Sequence, residues 1–305
     1  MHPSSTIDRP VEPIASSSRT WARAFGDIRD GLNARQLWAH LGWQDIKQRY
    51  RRSVLGPLWI TIGMGVTALG IGLLYGLLFG NNPATFLPYV TVGFIVWNFV
   101  HGCLIEGLDT FIANEGLIKH LPAPLSVYVL RTVWRQTLMF LHNMVIYVIV
   151  AGVFFVSISH AYTLTDKITP GATVTVHPGL GWSMLLAIPG FLLIALNGAW
   201  VALLLGIIST RYRDIPQVIN AIIQLLFYGT PIVWSLDTLG THADTAALVL
   251  QFNPLFHLVE VLRAPLLGQQ IVWQSWVVVL GMTVVGWVLA MFAMKNYRAR
   301  VSYWV

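Results

Sequence analysis

Four cations, Lys47, Arg49, Arg51 and Arg52, stand within six residues just ahead of Gly56 and Pro57, with Trp43 close before them. A guanidinium presents a planar fork of donors that matches phosphate oxygens, so such a run offers chemistry for an anionic headgroup. The same charges also suit a helix that lies along a membrane surface and touches a soluble partner. Other reactive groups are sparse. His101, Glu106 and Asp109 make the nearest approach to an acid–base cluster, and with nothing else converging on them they read as a solvated helix end. His142 and Asn143 stand in an apolar stretch, where an interhelical hydrogen bond is the expected use. The nine histidines show no metal-ligand spacing, and the single cysteine, Cys103, reads as a small buried residue. None of the four lysines follows a glycine, so the phosphate loop G-x-x-x-x-G-K-[ST] is absent; if ATP drives this protein, another chain hydrolyses it. The expectation is therefore no catalytic residue, no metal and no cofactor on this chain.

Two further groups can act by contact. Residues 114–125 read as a helix start followed by a proline stop, and they are too apolar for a free loop. Leu117, Ile118 and Leu121 on one side of a short helix suit insertion into a groove on another protein, or packing against the protein's own inner face. Trp59, Tyr75, Phe79, Phe227, Tyr228 and Trp234 are either interfacial belts or rings facing a lumen, where apolar faces let sugar rings slide without a deep trap. Ala68, Gly72, Gly76 and Gly80 recur at intervals of four and mark a close helix contact, within one chain or at a dimer seam or channel wall.

The elements that position these residues are membrane helices. Hydrophobic residues make up 55% of the 305 and charged ones 10%, with 13 tryptophans, whereas soluble domains carry about a quarter charged residues. Six uncharged stretches are long enough to cross a bilayer: 57–79, 86–105, 136–158, 181–208, 216–234 and 272–293. None holds an Asp, Glu, Lys or Arg, which argues against a proton-coupled carrier. The apolar region 246–267 is broken by Asn253, Pro254 and Pro265 and carries Glu260 and Arg263, so two short helices that enter and return are expected there. With the amino terminus inside, 17 lysines and arginines fall on the inner side and only Lys167 and Arg263 outside, which places both ends in the cytoplasm. The expected organisation is a disordered cytoplasmic tail at 1–20, amphipathic interface helices at 21–56, a six-span domain at 57–294 and a cytoplasmic tail at 295–305. The interface helices are read from Trp21, Phe25, Ile28 and Leu32 at helical spacing, and from Leu37 with Leu41 and Ile46 with Tyr50. The connection 159–179 alternates like a short hairpin.

Four segments in order along the chain carry a family likeness: W-Q-D-I-K-Q-R-Y-R-R-S-V-L-G-P-L-W at 43–59, S-T-R-Y-R-D-I-P-Q at 209–217, T-P-I-V-W at 230–234 and N-P-L-F-H-L-V-E-V-L-R-A-P-L-L-G at 253–268. They resemble the ABC-2 type permeases that export polysaccharides, the membrane subunits of O-antigen, capsule and teichoic acid exporters. The segment Q-T-L-M-F-L-H-N-M-V-I-Y at 136–147 leans toward the O-antigen members. The resemblance implies an all-helical integral membrane fold with six spans per subunit, in a homodimer that carries two copies of a separate ATPase. ATP and Mg sit on that partner, and a lipid-linked glycan is threaded between the protomers out of the bacterial cytoplasm across the inner membrane. Nucleic acid has no part in it. By the same likeness Asn114, Glu115, Leu117, Ile118, Lys119 and Leu121 form the coupling helix on the ATPase, with Arg211, Arg213 and Asp214 beside it. Trp43, Lys47, Arg49, Arg51 and Arg52 meet the pyrophosphate of a polyprenyl carrier. Asn253, Pro254, His257, Glu260 and Arg263 belong to an outer gate, and the six aromatics named above are channel candidates. The longer polar tail before Trp21 and the connection 159–179 depart from the family pattern. The rival readings are an exporter of a smaller lipid or drug, and a membrane enzyme acting on polyprenyl-linked sugars, which needs Glu106 or Asp109 as its acid or base.

Overall fold

The computed structural model describes residues 19–120, 123–160, 162–165, 173–176 and 181–305, so the expected tail lies outside the described residues up to position 18. Two helices come first, α1 (Trp21–Asn33) and α2 (Arg35–Arg49), α1 opened by Thr20, whose hydroxyl accepts from the Arg23 amide. The chain turns at Gly56, whose φ of 56° lies in the region that favours glycine, and enters α3 (Leu58–Leu78) and α4 (Pro83–Leu108). Asn82 caps α4 through the Ala84 amide at 3.0 Å, and Pro83 takes the first helical position, where its missing N–H costs nothing. A short α5 (Glu115–His120) leads to α6 (Leu125–Val153) and the brief α7 (Phe155–Ser159). The expected hairpin is present as β1 (Tyr162–Thr165) and β2 (Thr173–Val176), antiparallel with Tyr162 opposite Val176. A 3-10 turn at Trp182–Leu186 then feeds α8 (Ala187–Arg211), followed by α9 (Ile215–Gly229), α10 (Ala243–Leu250), α11 (Pro254–Leu266) and α12 (Trp273–Trp304).

Among the described residues five helices, α3, α4, α6, α8 and α12, are long and apolar enough to cross a membrane, against six expected. The remaining stretch, 216–234, forms a helix of only 15 residues, about 22 Å at 1.5 Å per residue. It stops because Thr230 precedes Pro231: the proline ring drives the residue before it out of the helical region, and Thr230 is extended at φ −107°, ψ 136°. Helix α6 starts well before the expected 136, so Arg131 and Arg135 ride on it rather than in a connection. Residues 295–304 of the expected tail are helical, the last turns of α12, with Val301 and the following Val305 buried. The broken region forms two short helices of 8 and 13 residues, neither able to cross alone.

Helix α4 is the axis of the bundle and packs on α3, α6, α8 and α11. Its Val90, Val92, Ile95, Val96 and Phe99 are exposed by 2% or less. Phe99, Phe140 and Phe191 interlock α4, α6 and α8 with ring centroids 4.3–5.8 Å apart. In lipid, helices associate through close packing, which small residues permit. A Cβ at Gly107 would lie 2.7 Å from the Ala202 Cα, so α4 and α8 touch backbone to backbone. The stripe on α3 serves the same purpose: Ala68 is buried, and a Cβ at Gly72 would meet Leu87 at 3.2 Å. Its helical part is a contact within one chain, facing α4, and not a dimer seam or channel wall.

Candidate functional site

The charged end of the bundle holds an ion-pair junction that ties α2 to α4 and α6. Asp45 on α2 accepts from Arg131 Nε at 2.8 Å and from its Nη2 at 2.6 Å, and from Arg135 Nη1 at 2.7 Å. Arg131 and Arg135 stand four apart on α6 and so share a face. Arg135 turns its remaining donors to Glu106 on α4, and Arg49 approaches the same carboxylate at 3.7 Å. Arg131 Nη1 donates to Asn114 Oδ1 at 2.8 Å, and Asn114 donates to the Thr110 carbonyl at 2.7 Å, which carries the network to the foot of α5. Burial alone would raise the Asp45 carboxyl; the hydrogen bonds and charges of Arg131 and Arg135 outweigh it and hold the group below the usual carboxylate range.

This junction corrects two expectations. Glu106 is not a solvated helix end but a partner of Arg135 and Arg49, while Asp109 is exposed as expected. Arg49 approaches Glu106 and Met139 Sδ, at 3.9 Å from the sulfur, yet stays exposed, as do Arg51 and Arg52 beyond the end of α2. Trp43 is also exposed, with the Lys47 ammonium 5.8 Å from its ring centre. The interhelical bond expected of His142 and Asn143 is made by neither side chain. His142 Nδ1 pairs with the Leu138 carbonyl in its own helix; its main-chain carbonyl accepts from Thr61, and Asn143 Oδ1 has no partner among the described residues.

The second assembly at this end centres on α5. Leu117 and Ile118 pack on the chain's own cluster of Phe111, Met294 and neighbours, so their apolar faces are turned inward rather than offered to a groove elsewhere. The exposed face consists of Glu115, Gly116, Lys119 and His120; Leu121 lies outside the described residues. Lys119 pairs with Glu115 at 2.6 Å, and that hydrogen bond and charge hold the Glu115 carboxyl below its usual range. Lys119 also donates to the Val305 carbonyl at 3.0 Å, and Arg213 donates to the Trp304 carbonyl at 3.1 Å. Arg211 lies between the Tyr212 and Trp304 rings, 5.3 and 5.4 Å from their centres. The end of α12 thus joins α5 to residues 211–213, and Asp214 is exposed beside them.

A buried carboxylate secures the arrangement. Asp27 on α1 accepts from the Leu125 amide at 3.1 Å and the Ser126 amide at 3.0 Å, capping α6, and from Arg298 Nε of α12 at 2.6 Å. Sequence reasoning missed both Asp27 and Asp45. The available signal was pairing across elements: two arginines four apart on an otherwise apolar helix, with lone acids in the amphipathic segment before the first span.

The residues expected at a gate lie at the opposite side of the core. Every residue of α11 from Leu255 to Leu266 is buried. Asn253 caps that helix through the Leu255 and Phe256 amides and donates to Thr230 Oγ1 at 3.0 Å, joining it to the end of α9; Pro254 is its first residue. His257 pairs with Ser275 and the Gln251 carbonyl, both at 2.9 Å. Arg263 donates to the Pro231 carbonyl at 2.7 Å and lies 3.9 Å over the Tyr89 ring. His257, Glu260 and Arg263 are exposed by 2% or less, and within one chain the bonds of His257 and Arg263 hold α11 in place. Among the channel candidates, Trp59, Phe79 and Tyr228 are exposed. Tyr75 and Trp234 are half-buried against the core, and Phe227 packs between Phe94 and Trp97 at 5.8 and 5.2 Å.

Five membrane-length helices among the described residues, of which α3, α6 and α8 pack on the largely buried α4, and a basic end define a multi-pass membrane protein. The chain belongs to the ABC-2 type transporter family, whose profile matches residues 36–267. It is similar to an O-antigen export system permease protein RfbA of Klebsiella pneumoniae, at 25% identity over 70% of this chain and 77% of the relative. A second Klebsiella pneumoniae protein of that name is 24% identical over 84% of this chain and 90% of its own length. An RfbA permease of Myxococcus xanthus is 23% identical over 78% and 82%.

Proposed function

We propose that this chain is the membrane subunit of an ATP-driven exporter that moves a lipid-linked polysaccharide of the O-antigen type from the cytoplasm to the periplasm. The observation that carries the reading is the basic end of the bundle. There a short helix with a polar exposed face is fixed to residues 211–213 and to the end of α12, and Arg131 and Asn114 connect its foot to α2, α4 and α6. A soluble ATPase seated on Glu115, Gly116, Lys119 and His120 would have its motion transmitted to the spans through paired charges rather than through a loop. The names of the relatives support polysaccharide export as the cargo class. In this reading two copies of the chain face each other, two ATPase subunits bind ATP and Mg on the cytoplasmic side, and both ends of the chain lie there too. Helix α9 and the turn after it make the sixth crossing, and α10 with α11 form the outer gate. The polyprenyl pyrophosphate falls to Arg49, Arg51 and Arg52, which are all exposed. The hydrogen bonds from Arg135 engage Glu106 and disfavour the enzyme reading.

Gly116 supplies the test. Gly116 is exposed, and a Cβ built there meets nothing within 4 Å apart from its own helix backbone and chain neighbours, so Gly116→Trp adds bulk to the exposed face. The variant is expected to reach the membrane at the wild-type level and to lose the co-purifying ATPase and export together. A Gly116→Trp protein that retains a stoichiometric ATPase and full export refutes the docking surface.

A further inference from the structure

Helix α12 has 32 residues, about 48 Å at 1.5 Å per residue, against a bilayer core of about 30 Å. Its closing turns therefore project beyond the hydrocarbon at the charged end of the bundle. The final carbonyls of a helix have no partner inside it and carry the negative end of its dipole. Here cations from two other elements meet them: Lys119 of α5 donates to the Val305 carbonyl at 3.0 Å, and Arg213, in the turn between α8 and α9, donates to the Trp304 carbonyl at 3.1 Å. The Trp304 ring lies 5.4 Å from the Arg211 guanidinium and 5.8 Å from the Tyr297 ring. Val301 and Val305 are buried in the same cluster that receives Leu117 and Ile118 of α5. The helix end is thus packed on α5 by its valines and fastened to residues 211–213 by its tryptophan. Tyr212, Arg213 and Asp214 are all that separate α8 from α9, and within the described residues Ile223 is the one buried residue of α9. An element with so little buried surface moves at the least cost. The network of Arg131 and Asn114 leads instead to α4, more than half of whose residues are buried.

We propose that the end of α12 relays movement of α5 to α9, and that Trp304 and Arg213 fix the relay. This rests on the exporter reading and deepens it: an ATPase seated on α5 shifts the end of α12, residues 211–213 follow, and the first turn of α9 follows them. Trp304 and Arg213 are positioning residues, which act through α5 and α9 rather than on cargo or nucleotide.

The test uses the full chain purified with its co-eluting ATPase. A reporter fluorophore is attached at Val218→Cys, a position 50% exposed in the first turn of α9, while the native Cys103 is buried and does not compete for it. MgATP with vanadate is expected to shift the reporter's emission. Trp304→Leu is expected to abolish that shift while the ATPase stays bound at the wild-type ratio. Coupling between two sites commonly amounts to about 5–150-fold, so periodate-stained surface carbohydrate on cells carrying Trp304→Leu should fall about fivefold or more. Trp304→Phe, which keeps a ring for Arg211, should restore both readouts. Gly116→Trp is expected to lose the ATPase itself, so the two variants separate docking from relay. A Trp304→Leu complex with the wild-type shift and export overturns the relay and leaves the exporter reading standing. A Trp304→Leu chain that loses its ATPase, or a defect that phenylalanine does not rescue, also overturns the relay. Where Trp304→Leu lowers the melting temperature or membrane level, Arg213→Gln, at an exposed residue, carries the same expectation, with Arg213→Lys as its rescue. No shift in the unsubstituted complex overturns the relay, and no ATPase with the unsubstituted chain overturns both.

Discussion

Replacing Asp45 with asparagine tests whether the junction joins α2 to the spans as the geometry requires. The carboxylate is 16% exposed and receives three charge-assisted hydrogen bonds from two arginines. Removing one member of a buried pair costs about 3–5 kcal/mol. Here Arg135 keeps Glu106 and the cluster is partly wet, so the expected loss is about 2–3 kcal/mol. At roughly 2–4 °C per kcal/mol this lowers the melting temperature by about 5–10 °C. Because polytopic proteins unfold irreversibly, the quantity to compare is an apparent melting temperature at one scan rate, read from tryptophan fluorescence in detergent. The pH dependence gives the sharper reading. The carboxyl is held below its reference value of 3.8 in the folded protein. Its contribution is therefore full above the unfolded-state value of about 3.9 and is lost as pH falls through the lower folded one. The gap between wild type and Asp45→Asn should be constant from pH 5 upward and close below about pH 4. A gap under about 1 °C at neutral pH, or one that widens on acidification, refutes the assignment of Asp45 as the anionic partner of Arg131 and Arg135.

Asp27→Ala removes the cap of α6 and strands Arg298, and is expected to cost about 3–5 kcal/mol, measured as lower membrane abundance and melting temperature; Asp27→Asn, which keeps an acceptor, should recover part of it. Gly107→Ala drives a methyl group into the Ala202 backbone, whereas Gly281→Ala meets nothing within 4 Å. The first should destabilise by about 1–3 kcal/mol and the second should not, and equal melting temperatures would contradict the α4–α8 contact. Leu117→Asp should lower abundance before it affects partner binding, because Leu117 packs on the chain's own cluster, and a stable, abundant variant would place that side chain elsewhere.

Much of the bundle was legible because uncharged runs of membrane length announce themselves: α3 lies within one residue of the stretch read at 57–79. Periodicity failed where a neighbour decides. Pro231 shortens α9 through the residue before it, and α6 begins early because Asp27, 98 residues back in the chain, caps its first turn. The same limit hid the junction. Asp45, Glu106, Arg131 and Arg135 are unremarkable singly, and only the packing of three helices brings them within hydrogen-bond reach. Leu117 and Ile118 were read as apolar residues on a surface helix, a pattern that is the same whether the helix turns that face outward or inward. The two-way reading of the α3 glycines had the same origin and was settled by the position of Leu87.

The carboxylate of Asp27 also sets an order of events during synthesis. Its partners are made 98 to 271 residues later, and at about 5–20 residues per second the last of them, Arg298, follows by roughly 15–55 seconds. Until the first turn of α6 is made α1 carries an unpaired acid, so the helix waits at the membrane surface. Its docking is complete only when the end of α12 brings Arg298 to the same carboxylate. The amino-terminal helix, made first, is thus among the last to be seated, and its seating reports that the spans behind it have been inserted.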